Sequence, residues 1–223
     1  MNSYEIIAAS AVNSWSLQEP TGLYLDSRSG ENLTALGGPN RDVPGPNWWL
    51  PFACRLFGPF SLRRDGYVGS SGIIGMTVCA WLKREDITAS FASLYSYGTV
   101  NLGIRGEISL YAVYDGASFQ QVVFSWLDFD WHFCAWVRSV AGNVLTVVRD
   151  DFSGTVSTEA NIPAVAQLNV SMSGQDLSCD VAGLMVFNYP LTFQMLQVLR
   201  GGPAGAIGRP RLRGSGKIRK IGR

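Results

Sequence analysis

The sequence predicts an all-β protein: an antiparallel sandwich of two sheets, with one short C-terminal helix and a basic extended tail. Three observations lead there. Apolar and polar residues alternate with a period of two along successive segments, turns rich in Gly, Asp and Asn recur every ~8–12 residues, and no strand–helix–strand rhythm appears. The plainest segment is Asp130-Trp131-His132-Phe133-Cys134-Ala135-Trp136-Val137-Arg138. Phe133, Ala135 and Val137 fall on one face of a strand there, and His132, Cys134, Trp136 and Arg138 on the other. Met76 to Lys83 repeats the arrangement, with Val78, Ala80 and Leu82 on one face and Cys79, Trp81 and Lys83 on the other. Two strands carrying Cys-Ala-Trp in one phase are expected in one sheet, with one dry face and one amphipathic face.

Along the chain, Gly37 to Phe60 is expected to be loop-rich, because Pro39, Pro44, Pro46, Pro51 and Pro59 exclude long central strands. Strands are then predicted over 75–83, 91–97, 100–104, 108–114, 120–126, 131–139, 144–149, 166–171 and 179–187. Arg105-Gly106-Glu107, Asp115-Gly116 and Ala141-Gly142-Asn143 supply turns between them. After Pro190, Thr192 can cap a helix over Phe193 to Leu199 that ends at Gly201-Gly202-Pro203 and packs on the sandwich. Residues 1–203 thus read as one domain, and 204–223 as a Gly-rich basic tail with no apolar period from which to build a core.

With 223 residues, 47% of them hydrophobic, the chain can bury a sizeable core. No window approaches the ~18 consecutive apolar residues of a spanning helix, so the expectation is a soluble chain without a membrane partner. Met1-Asn2-Ser3-Tyr4-Glu5 lacks the basic start and long apolar run of a secretory signal. Cys54, Cys79, Cys134 and Cys179 are irregularly spaced in a chain with a single histidine, which argues against zinc; they are expected as reduced, buried small hydrophobes. The net charge of +1 conceals a split: seven of the 18 Lys and Arg lie in Ile207 to Arg223, which holds no acid, leaving 11 against 17 acidic residues elsewhere. Arg209, Arg211, Arg213, Lys217, Arg219, Lys220 and Arg223 are therefore the expected partner-docking residues, aimed at an acidic protein surface rather than at nucleic acid.

Several motifs in order resemble the laminin-G-like, concanavalin A-like jelly-roll family. Trp15-Ser16-Leu17-Gln18-Glu19-Pro20-Thr21-Gly22 followed by Asp26-Ser27-Arg28-Ser29-Gly30 is similar to that family's opening, Trp-x-Leu-x-Glu-x-x-Gly and then Asp-Ser-x-x-Gly. Thr77 to Lys83 looks like its first long core strand, Trp131 to Arg138 like its Trp-His strand, and Val181 to Thr192 like its closing strand and terminal helix. One departure is Asp151, which stands where the family places the glycine of an Asp-Gly turn after Val147-Val148-Arg149. This opening ahead of a jelly roll most resembles copies carried by minor tail proteins of tailed bacteriophages. The resemblance implies a structural virion protein assembled in the host bacterial cytoplasm, present in several copies, with other virion proteins as partners and host-surface glycans as a further ligand. Fold alone does not assign function, and a capsid decoration protein and a bacterial lectin-like adhesin stand as alternatives.

No catalytic residue is predicted. His132, the single histidine, starts a strand, where an imidazole donating to a backbone or loop carbonyl locks an edge. Asp128 and Asp130 share a face as an acid/base pair would, yet they stand where turn chemistry explains two aspartates. The Glu-x-Asp-x-(x)-Glu strand of related sandwich glycosidases is absent. No cofactor is expected; calcium is disfavoured because Asp26, Asp176 and Asp180 are isolated and show no repeating ligand spacing. Trp48-Trp49, Tyr95, Tyr97, Tyr111 and Tyr114 are the aromatics suited to stacking on sugars, with burial as the competing fate.

Overall fold

The computed structural model describes residues 1–38, 40–57, 61–65, 75–85, 92–97, 100–105, 109–114, 119–123, 128–139, 141, 144–157, 167–171 and 178–203. Within these, the backbone alone is described at 40, 42, 57, 92–97, 100–105, 109–114, 119–121, 123, 156–157 and 167–171. The basic tail lies outside the described residues, as do the predicted strand ends at 91, 108, 124–126 and 166.

Helix α1 (Ser3–Ala9) precedes the strands β1 (Asn13–Trp15), β2 (Thr34–Leu36), β3 (Asn40–Asn47), β4 (Leu50–Phe57), β5 (Ser61–Asp65) and β6 (Gly75–Arg84). Next come β7 (Ala92–Tyr97), β8 (Val100–Arg105), β9 (Ser109–Tyr114), β10 (Phe119–Val123), β11 (Trp131–Ser139) and β12 (Val144–Arg149). The chain closes through β13 (Phe152–Ser157), β14 (Gln167–Ser171), β15 (Ser178–Phe187) and helix α2 (Phe193–Gly201). They form two antiparallel sheets, β13-β12-β11-β6-β15-β4-β3 and β10-β9-β8-β7-β14-β5-β2, with β1 also paired to β15. The architecture is the antiparallel two-sheet sandwich that the alternation and the turns predict, of the jelly-roll kind that the family resemblance implies. Where β13 meets β10 the sheets touch closely: a Cβ on Gly154 would fall 2.3 Å from Val122 Cγ1.

Strands β6 and β11 lie in one sheet, as expected, and pair directly, but their motifs are out of phase. The register sets Trp136 opposite Val78, Cys134 opposite Ala80 and Ala135 opposite Cys79. Directly opposed residues point to one face, so Trp136 joins Val78, Ala80 and Leu82, whereas Trp81 joins Phe133, Ala135 and Val137. Neither face is amphipathic over its centre. Val78, Ala80, Leu82, Cys134, Trp136, Val147, Val181 and Val186 are each at most 1% exposed on the side that meets the second sheet. The other side carries Cys79, Phe133, Ala135, Val148, Met185 and Phe187, packed beneath Ile7 and Ala8 of α1 and Leu196 and Leu199 of α2. A sheet covered on both sides reads as continuous apolar burial.

Two further differences have local causes. The segment expected to be loop-rich holds two eight-residue strands, β3 and β4. Pro44 and Pro46 are tolerated because β3 is an edge strand whose pairing with β4 breaks register on both sides of Val43 and Pro44, and Pro51 precedes the stretch of β4, Cys54 to Phe57, that pairs with β15. Helix α1 escapes a periodicity search because it is only seven residues long, yet Asn2 and Glu5 form a reciprocal capping box at its start. Helix α2 follows expectation: the Thr192 side chain accepts from Met195 N, and Gly202 caps the end at φ +74°. All four cysteines are buried and none is disulfide-bonded.

Candidate functional site

On the helix-covered face of the β6/β11 sheet a groove of about 240 Å3 opens where α2, the N-terminal segment and the β3–β4 turn converge. Phe133, Met185 and Leu199 form its buried apolar floor, half-buried Tyr4, Trp49 and Trp81 its walls, and Ser14, Ser16, Ser27 and Glu19 its polar side.

Each wall has a sequence-level cause. Trp49 lies in the two-residue turn between β3 and β4, where Asn47 Oδ1 accepts from Leu50 N at 3.0 Å. Trp48, 68% exposed, meets it edge to face at 5.8 Å. The Trp49 ring lies against Gly202, where a Cβ would fall 2.5 Å from two ring carbons; glycine at the C-cap of α2 therefore makes room for the ring. Trp81 stands edge-on to Phe133, 5.6 Å between centroids. Gly183, at φ +61°, sits where β15 changes edge partner from β4 to β1, and its N–H donates to Ser16 O at 3.0 Å. That notch brings the Trp15 to Glu19 segment to the groove.

Glu19 is held from several sides. Its Oε1 accepts from Leu25 N at 3.1 Å and from Ser16 Oγ at 3.3 Å. Its Oε2 is buried with no hydrogen-bond partner among the described residues. The Arg41 guanidinium donates to Glu19 O at 3.1 Å and Gly22 O at 2.9 Å while stacking over Tyr24, fixing the loop. Asp26 organises the following turn: its carboxylate accepts from Ser14 N, Arg28 N, Ser29 N and Glu31 N and from the Asn13 and Ser29 side chains. Burial alone would raise this carboxyl, but those donors outweigh it and hold it below its ordinary value. The family-like opening motif thus closes a loop and delivers one carboxylate to the groove.

The sequence-predicted positions are scattered. His132 is bridged by two carboxylates rather than by a carbonyl: Nδ1 lies 2.5 Å from Asp150 Oδ2 and Nε2 2.7 Å from Asp128 Oδ1. Burial works against its charge, yet the hydrogen bonds and fields of Asp150 and Asp128 prevail and raise its pKa. Asp128 also accepts from Asp130 N at 3.2 Å, the turn chemistry expected there. Asp180 is fully buried in a fork from Arg55 at 2.6 and 3.0 Å, far in sequence from Asp26, and Asp176 lies outside the described residues. Among the described residues no group of three or more His, Cys, Asp or Glu could hold a metal ion. The side chains of Tyr95, Tyr97, Tyr111 and Tyr114 and all seven basic tail residues lie outside the described residues. Of the residues that form the groove, only Trp49 figured among the expected sugar-stacking aromatics. Trp81 read as sheet filling, and Glu19 was visible only as the acid in Trp-x-Leu-x-Glu.

No family model and no curated protein sequence matches the chain. Solved structures do. The binding domain of botulinum neurotoxin DC in complex with rat synaptotagmin II superposes with a TM-score of 0.67 at 14% identity, over 86% of this chain and 51% of that one. The same binding domain in complex with SialylT gives 0.66 at 13% identity, over 86% and 51%. A structure described as showing that cell entry of botulinum neurotoxin type C depends on interaction with two ganglioside molecules gives 0.66 at 13% identity, over 87% and 51%. The chain spans about half the length of these neighbours, and at such identities the likeness is one of fold.

Proposed function

We propose that this protein is a non-enzymatic glycan-binding β-sandwich module whose site is the groove on the helix-covered face. The observation that carries the reading is the convergence of the Trp49 and Trp81 rings and the Glu19 side chain in one groove. A pyranose has an apolar C–H face that stacks on an aromatic ring and hydroxyls that donate to a carboxylate, so rings and acid together form a sugar site. Glycoside hydrolysis takes two carboxylates roughly 5–9.5 Å apart; among the described residues lining the groove, Glu19 is the one acid. Neighbours of the same fold include binding domains, one captured with SialylT, which supports the reading by analogy of architecture. Titration of the full chain against an oligosaccharide panel tests it: Trp49→Ala and Trp81→Ala should each abolish a saturable signal, and undiminished binding in both variants would refute the assignment. No panel member should release reducing ends.

We propose further that the module belongs to the virion of a tailed bacteriophage, as a minor tail protein in several copies. Its support is the family-like order of motifs and the charge split between body and tail. In this proposal 204–223 is a docking arm on a neighbouring subunit, with Arg209, Arg211 and Arg213 as forks for carboxylates and Lys217, Arg219, Lys220 and Arg223 adding charge. Deleting 207–223 should leave the melting temperature of the body nearly unchanged and abolish incorporation into particles. A truncated chain that assembles at normal copy number would overturn it, and tight salt-sensitive binding of the tail to DNA would replace it with nucleic-acid contact.

A further inference from the structure

We infer that His132 is a proton-operated latch: its second ring proton fastens the turn at Asp128 to Asp130 onto the sandwich, and loss of that proton frees the turn while the groove stays stitched together. The chain's single imidazole is set between two carboxylates, with Nδ1 2.5 Å from Asp150 Oδ2 and Nε2 2.7 Å from Asp128 Oδ1. Both contacts are hydrogen bonds only while the ring carries two N–H groups. A neutral imidazole donates from one nitrogen and turns a lone pair outward at the other. The carboxylate facing that lone pair then meets a second acceptor with no proton between them. When the ring gives one proton to solvent, one of the two contacts must break.

Burial decides which. The Asp150 side chain is 19% exposed and the Asp128 side chain 51%. Asp150 is also tied elsewhere: Oδ1 accepts from Phe133 N at 3.0 Å, its N–H donates to Phe133 O at 2.8 Å, and its carbonyl accepts from Gln197 Nε2 at 2.5 Å. Leaving that carboxylate unpaired costs more than returning Asp128 to water, so the neutral ring keeps its proton on Nδ1. Asp128 Oδ1 is at the same time the acceptor of Asp130 N at 3.2 Å. The oxygen that organises the turn is thus the one released, and Phe129, 48% exposed, rides on that turn. Phe133 of the groove floor and Gln197 of α2 keep their bonds to Asp150 in both states. The other ionisable groups around the clasp, among the described residues, are Asp130 in the turn, Asp151 beside Asp150, Arg149 of β12 and Arg200 of α2, with Cys134 two residues along β11 and Lys83 opposite Trp131. Arg149 acts on Asp128 through its field, whereas Arg200 Nε lies 3.7 Å from Asp150 Oδ1 and adds to the hold on that side. β6 sets apolar Leu82 directly opposite the ring. Burial works against the second proton, but the hydrogen bonds to Asp150 and then to Asp128 outweigh it, which places the release above the ordinary imidazole value of ~6.5.

Because the chain has one histidine, the imidazole signals in a two-bond proton–nitrogen correlation spectrum of the full, nitrogen-15-labelled chain belong to His132 alone and report its protonation form directly. As pH is raised the ring should pass from the doubly protonated form to the Nδ1–H tautomer. The Asp130 amide should move with the same midpoint and exchange faster with solvent above it, while the Phe133 amide, bound to Asp150, stays protected. Asp128→Asn, at a half-exposed position, should lower the midpoint and keep the Nδ1–H tautomer. Asp150→Asn should lower it and invert the tautomer to Nε2–H. The parent spectrum decides without either variant: a neutral ring protonated at Nε2, or an Asp130 amide indifferent to the His132 titration, would overturn the latch. So would a midpoint unmoved by Asp128→Asn. The outcome is independent of whether the groove binds a sugar.

Discussion

His132 lies between two carboxylates from different parts of the chain, Asp128 four residues before it and Asp150 in the turn between β12 and β13. Asp150 also accepts from Phe133 N at 3.0 Å, while its carbonyl accepts from Gln197 of α2 at 2.5 Å; Arg200 of α2 pairs with the adjacent Asp151 at 2.5 Å. Asp151, which departs from the family's Asp-Gly turn, is accommodated by placing φ +52° on Asp150, the first turn position. Aspartate tolerates that conformation. The clasp predicts a pH dependence. His132 is raised, so its contribution is complete below the ordinary imidazole value of ~6.5 and is lost as pH climbs through the raised folded-state value. Asp128 and Asp150 are lowered, so theirs is present above ~3.9 and disappears as pH falls through their folded-state values. Melting temperature should therefore be highest between about pH 4 and 6.5 and decline on the alkaline side. His132→Asn should flatten that alkaline decline, and an unaltered slope in the variant would show that the charge resides elsewhere. The sequence displayed Asp128 beside His132 but not Asp150, because the strand register that sets Cys134 opposite Arg149 is what carries Asp150 there.

Helix α2 serves the groove through its C-terminal end, where Leu199 lines the floor and Gly202 meets Trp49, and its two ends can be separated by mutation. Thr192→Ala removes the N-cap acceptor of Met195 N and should cost about 1 kcal/mol of stability with glycan affinity unchanged. Gly202→Ala acts differently. Its backbone, at φ +74° and ψ −167°, belongs to a region that costs a non-glycine residue ~1–3 kcal/mol, and the new methyl would collide with Trp49. Melting should fall and sugar binding should fall with it; a stable Gly202→Ala protein with parental affinity would remove Trp49 from the site. The helix itself was legible from Thr192, the apolar run and the terminal glycines. Its partnership with Trp49 was not, because that contact joins residues 153 positions apart and depends on how two turns meet. Strands β3 and β4 were hidden for a related reason. Proline forbids ladder donors only where a neighbour needs them, and β3 has a neighbour on one side alone.

At the scale of the whole molecule, the two tryptophans of the repeated Cys-Ala-Trp motif occupy opposite sides of one sheet. Trp136, 1% exposed, is sealed between the sheets, and Trp136→Ala should cost about 3–5 kcal/mol. Trp81 is half-buried in the groove wall, so Trp81→Ala should cost less stability than Trp136→Ala while eliminating sugar binding. Equal destabilisation with binding retained would reverse their assigned roles. Alternation identified both strands and their common sheet but neither their direct pairing nor which faces coincide, since antiparallel register is decided by the other strands that β6 and β11 must also satisfy. The same two-sided covering settles the fate of the thiols. Cys79 and Cys134 point away from each other across the sheet, and burial pushes Cys54 up to about 11 and Cys79 up to about 12, with Cys134 and Cys179 raised as well. None offers a thiolate to an oxidant at neutral pH. The body can therefore be synthesised in a reducing compartment and later exposed to air-saturated surroundings with its covalent structure unaltered, requiring neither an oxidase nor a reductant. A thiol reagent should label none of the four in the native state and all four in denaturant, and electrophoretic mobility should be the same with and without reductant.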